Sequence, residues 1–71
     1  MLDQLRELAE AEPFKPFTVR LSTGTELEVA KAKDIQFTHY GNPKINAATV
    51  DSLGRMRWTI LNVDTISEII L

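Results

Sequence analysis

A mainly β domain is predicted, with one short N-terminal α-helix followed by a five-stranded, strongly bent antiparallel sheet or small barrel, and three observations predict it. A single leucine stripe at helical spacing occupies the first dozen residues, and no second one follows. Apolar and polar residues then alternate with period two in short runs, the mark of half-buried strands. Gly24, Gly41 and Gly54 break those runs at close intervals. With 71 residues there is room for one domain, residues 1–71, read as a helical segment 1–12 and a β segment 13–71. A chain of this size buries only about 60% of its unfolded surface, so its core is small. There is no cysteine and one histidine, His39, so neither a disulfide nor a Cys/His zinc site is expected to staple it. Tight packing or self-association remain.

Leu2, Leu5, Leu8 and Ala9 recur between Asp3, Gln4, Arg6, Glu7 and Glu10, which predicts an amphipathic helix over 3–11, stopped by Pro13. A helix of about nine residues is unstable alone in water, so its leucines must lie against this chain or a neighbouring copy. Pro13-Phe14-Lys15-Pro16 stiffens the connection, and Phe14 and Phe17 are expected to seal one end of the core.

Phe17, Val19 and Leu21 alternate with Thr18, Arg20 and Ser22. A three-residue loop, Ser22-Thr23-Gly24 with a left-handed glycine, pairs Leu21 with Thr25, Val19 with Leu27 and Phe17 with Val29, whereas a two-residue turn would put apolar residues on both faces. The favoured register also sets Arg20 across from Glu26. After the polar break Lys31-Ala32-Lys33-Asp34, a third stretch faces Ile35 and Phe37 one way with His39, and Gly41-Asn42-Pro43-Lys44 ends it. The same loop logic at Ser52-Leu53-Gly54 pairs Asp51 with Arg55, Val50 with Met56 and Ala48 with Trp58, making Met56, Trp58 and Ile60 core and leaving Leu61 on the opposite face. Near the end, one helical turn at 63–66 leads into a last strand. Adjacent Ile69 and Ile70 point to opposite sides of it, so both faces need cover.

The order of helix, four strands, helical turn and fifth strand resembles barrels of the Sm-like kind, with SH3-like barrels as the alternative. The stretch Pro13-Phe14-Lys15-Pro16-Phe17-Thr18-Val19-Arg20-Leu21-Ser22-Thr23-Gly24 and the ending Val63-Asp64-Thr65-Ile66-Ser67-Glu68-Ile69 also resemble a group of short, uncharacterised bacterial proteins. Those begin with a leucine-bearing helix and a proline-aromatic lead into a strand. Such relatives often carry Asp or Asn where Thr23 stands. The resemblance implies a fold and carries no activity.

The charge balance, 8 basic against 10 acidic residues, is that of an ordinary globular domain. No run approaches the roughly 18 apolar residues of a membrane span, and a cytoplasmic location without membrane contact is expected. No enzyme is expected, and no cofactor or metal. Glu26 and Glu28 share a strand face, but 71 residues leave few loops from which to build a cleft around them. Ser22 and Ser52 fall in turns, Ser67 lacks a nearby base, and Pro13-x-x-Pro16 reads as a stiff connection rather than a polyproline ligand.

Two binding readings survive. Sm-like proteins stack RNA bases on loop aromatics beside basic residues, and the residues for such a site here would be His39, Tyr40, Lys44, Arg55 and Arg57. Residues 13–58 hold seven basic against four acidic side chains, a modest excess. The stronger reading is a homo-oligomer with Leu61, Ile66, Ile69, Ile70 and Leu71 at the subunit interface, because one small sheet cannot hide all of its apolar residues. Whether the helix packs in cis or on a neighbour is left open.

Overall fold

The computed structural model describes residues 2–48 and 54–71. The element order is α1 (Leu2–Glu10), β1 (Phe17–Leu21), β2 (Glu26–Val29), a 3-10 turn (Ala32–Asp34), β3 (Ile35–Phe37), β4 (Pro43–Ala48), β5 (Met56–Ile60), a second 3-10 turn (Val63–Thr65) and β6 (Ile66–Ile70). The mainly β character and the leading helix are as expected. The count and closure differ: among the described residues, six strands form two three-stranded antiparallel sheets, β2-β1-β6 and β3-β4-β5, in place of one five-stranded sheet or a closed barrel. The reason lies at Ala32–Asp34. That 3-10 turn takes β2 and β3 out of line, so each joins a different sheet.

Helix α1 packs in cis. Leu5 is fully buried, and Leu8 and Ala9 lie against the same cluster. The Arg6 guanidinium sits 4.3 Å above the Phe37 ring, tying the helix to β3. Phe14 and Phe17 meet at 5.9 Å between ring centroids, with Phe17 buried.

The first hairpin has the expected register, Phe17 with Val29, Val19 with Leu27 and Arg20 with Glu26. Gly24 supplies the left-handed residue at φ 92°. Phe17, Val19, Leu27 and Val29 thereby share one face and meet Ile35, Ile45 and Ala47 of the other sheet, with Leu5, Leu61 and Ile66 completing the core.

Strand β6 solves a parity problem. Ile66 and Ile69 are three residues apart, so a regular strand would send them to opposite faces. The ladder with β1 shifts between Arg20, which faces Glu68, and Leu21, which faces Ile66. Ser67 is the extra residue, its hydroxyl donating to the Arg20 carbonyl at 3.1 Å. Both isoleucines then pack on the core, while Ile70 lies half-buried beside Thr18 on the other face. The turn before β6 falls where expected. Its cap is Asn62, whose side-chain oxygen accepts from the Asp64 N–H at 3.1 Å.

The second hairpin corrects the sequence reading. Ala48 pairs with Met56 and Trp58 with Asn46, two residues away from the expected register. The expected partners Val50 and Asp51, and the loop residues Ser52 and Leu53, lie outside the described residues. The faces are also exchanged: Met56, Trp58 and Ile60 point to solvent at 51%, 43% and 62% exposure, while Leu61 is buried at 4%. Strand β4 dictates this, because Pro43, Ile45 and Ala47 are its buried residues and Lys44, Asn46 and Ala48 face out with Trp58 and its neighbours.

Candidate functional site

Outer face of the β3-β4-β5 sheet

Three rows cross this face: Gln36, Lys44 and Ile60; Asn46 and Trp58; Ala48 and Met56. Lys44 is held in place by the alternation of β4 and by its neighbour, its Nζ lying 5.2 Å from the centre of the Trp58 ring. Asn46 leans toward Asp34, which is buried at the end of the 3-10 turn, through a long 3.4 Å contact from Nδ2 to Oδ1. The face therefore presents an apolar row on its edge strand, one cation and two amides.

The five residues expected to contact RNA do not converge. His39 and Tyr40 sit in the turn between β3 and β4, both exposed, with rings edge to face at 5.5 Å. Lys44 is on the outer face with Trp58. Arg57 pairs with Ala47, so it leaves β5 on the core side and reaches solvent at the open edge. Arg55 precedes β5 and is exposed. Of the expected interface residues, Leu61 and Ile66 are buried within the chain, Ile69 and Ile70 are half-buried, and Leu71 is 81% exposed. The sequence alternation places Trp58 in the core, whereas the structure puts it at the centre of this face. The alternation Pro43-Lys44-Ile45-Asn46-Ala47 was the signal that could have found it.

Beside β5, an open groove of about 510 Å³ runs between Arg57–Ile60 and the first hairpin at Leu21, Thr25 and Leu27. On the outer face of the other sheet, Arg20 lies between Glu26 and Glu68. Its Nη2 is 2.7 Å from a Glu26 oxygen, and its Nη1 pairs with Glu68. The Glu26 hydrogen bond, then the charge of Glu68, holds the Arg20 guanidinium above its ordinary pKa. These carboxylates are thus engaged in an exposed ion-pair row. Among the described residues, no cluster of three or more His, Cys, Asp or Glu side chains could hold a metal ion, and no helix is long and apolar enough to cross a membrane.

Comparison with known proteins found no matching family model, no matching curated protein and no matching solved structure.

Proposed function

We propose that this chain is a small, non-enzymatic interaction module that works by associating with copies of itself. The observation carrying this reading is the row Met56, Trp58 and Ile60, solvent-facing on a strand that, among the described residues, ends its sheet. A folded chain of this size gains from covering such a row, because each apolar Å² removed from water contributes about 25 cal/mol. The leading helix and the 3-10 turn before the last strand support an Sm-like relationship for the fold, and a bacterial, cytoplasmic setting accompanies it. Light scattering coupled to size exclusion tests the reading across a concentration series from about 1 µM to about 1 mM. The mass should rise from one copy toward a defined multiple; a one-copy mass throughout refutes it.

The stacking of Lys44 on an exposed Trp58 favours one second reading, weak binding of single-stranded RNA. The chain has one tryptophan, so its fluorescence reports this face alone. Titration with a short RNA at low and high salt should quench Trp58 only at low salt. No quenching at low salt ends that reading.

A further inference from the structure

We infer that the self-associated form is a two-fold dimer built by pairing β5 with β5 of a second copy, which joins two three-stranded sheets into one of six strands. The inference rests on the self-association reading and assigns its contact. The backbone supplies the first argument. Leu61 donates its N–H to the Pro43 carbonyl at 2.8 Å, and on the far side of β4 Thr38 donates to the Asn42 carbonyl at 2.8 Å. In an antiparallel ladder the N–H and C=O of one residue point to the same side, and successive residues alternate. Arg57, Thr59 and Leu61 therefore turn their backbone groups toward β4. Met56, Trp58 and Ile60 turn theirs to the open edge, where they face no strand among the described residues. Unpaired edge groups of this kind are a template for another strand.

Register supplies the second. Antiparallel pairing centred on Trp58 sets Trp58 against Trp58, Met56 against Ile60 and Ile60 against Met56. These are the residues with outward N–H and C=O groups, so all three pairs exchange hydrogen bonds and all three are apolar on the outer face. On the core side Arg57 meets Thr59 of the other copy. A slip of two residues in one direction puts Arg57 against Arg57, and in the other it drops Met56 from the ladder and sets Arg57 against Leu61. A slip of one residue turns the core side of one copy to the outer side of the other. Only the centred register satisfies backbone, apolar row and charge together. The groove between β5 and the first hairpin leaves space for the core-side residues of the arriving strand.

The third argument concerns the other edge strands, of which β2 carries Glu26 and Glu28 and β3 is three residues long. Strand β6 also ends its sheet, but the extra residue Ser67 breaks its ladder, and Glu68 and Arg20 stand charged beside it. Bulges and charges are devices that keep edges unpaired. Strand β5 has a regular ladder with β4 and one charge, Arg57, which the centred register accommodates.

The test combines mass with amide hydrogen exchange on the full chain. Raising the concentration should produce a two-copy mass and slow exchange at the Met56, Trp58 and Ile60 amides by about tenfold or more, leaving Arg57, Thr59 and Leu61 protected throughout. Trp58→Lys places like charges directly opposite one another and should raise the dimer Kd by about tenfold or more. Because the Trp58 backbone N–H turns to the open edge and meets no strand among the described residues, Trp58→Pro removes an outward N–H only; it should keep the monomer's circular dichroism and abolish the dimer. Self-association that survives both variants, or leaves the three amides unprotected, overturns the β5 pairing while the self-association reading stands. An assembly larger than two overturns it as well, since a two-fold contact closes on itself. A monomer at every concentration overturns both.

Discussion

Adjacent residues Ile60 and Leu61 provide the sharpest test of which face of β5 is the core. Truncating either to alanine removes the same three carbons. For Leu61, 4% exposed, the transfer term is about 2.4 kcal/mol at about 0.8 per methylene, and the cavity left behind raises the loss to about 3 to 5 kcal/mol. At 62% exposure Ile60 forfeits roughly 40% of that transfer term, about 1 kcal/mol, with no cavity. A domain of this length has about 4 to 11 kcal/mol in total, so Leu61→Ala removes much of its stability. Urea unfolding followed by circular dichroism, at a concentration where scattering shows single copies, gives both values; thermal midpoints should fall by about 4 to 8 °C per kcal/mol. Equal losses, or a larger loss at Ile60, would show that Met56, Trp58 and Ile60 face inward and would refute the reasoning about β5.

Deleting Ser67 should leave a cooperative thermal melt, because the regular ladder then keeps Ile66 against Leu21, Glu68 against Arg20 and Ile69 against Val19, with both isoleucines on the core; loss of cooperative unfolding contradicts the bulge argument. Gly41→Ala should lower stability by about 1 to 2 kcal/mol in urea, since φ is +87° there and the new Cβ meets only Arg6 Nη2 at 3.8 Å, so the loss is conformational. Arg20→Gln should lower the urea midpoint slightly at low salt and by less at about 1 M salt, where the exposed Glu26 and Glu68 pairs are screened. The Arg20 pKa is raised in the folded state, so its stabilisation is fully present below the unfolded value and is lost only as pH rises through the folded one. Stability measured between pH 6 and 9 should therefore show no slope attributable to Arg20.

The first hairpin was legible because two independent signals agree there. A glycine in the loop fixes the turn, and only one register keeps Phe17, Val19, Leu27 and Val29 on one face. The second hairpin offered conflicting signals. Met56, Trp58 and Ile60 outweigh Leu61 in apolar content, yet Ile45 and Ala47 fix the buried side of β4, and β5 follows its partner. At a sheet edge, sequence alternation marks two different faces without saying which is wet. The bulge was illegible for a related reason: nothing in Ile66-Ser67-Glu68-Ile69 marks Ser67 as extra until both isoleucines must reach one core. For the candidate site, Lys44 was found and Trp58 was not. Arg55 and Arg57 fall beside Lys44 by strand neighbourhood, which does not say from which side of the sheet each side chain leaves.

The pairing of β1 with β6 also sets an order of events. Arg20 waits for Glu68, 48 residues later, while its other partner, Glu26, is 6 residues away. At a synthesis rate of about 5 to 20 residues per second, that interval lasts about 2 to 10 s. During it, the growing chain carries β1 with one neighbour and a core without Ile66 or Ile69. The hairpins close from local contacts, and β6 joins β1 across the largest sequence separation of the described strand pairs.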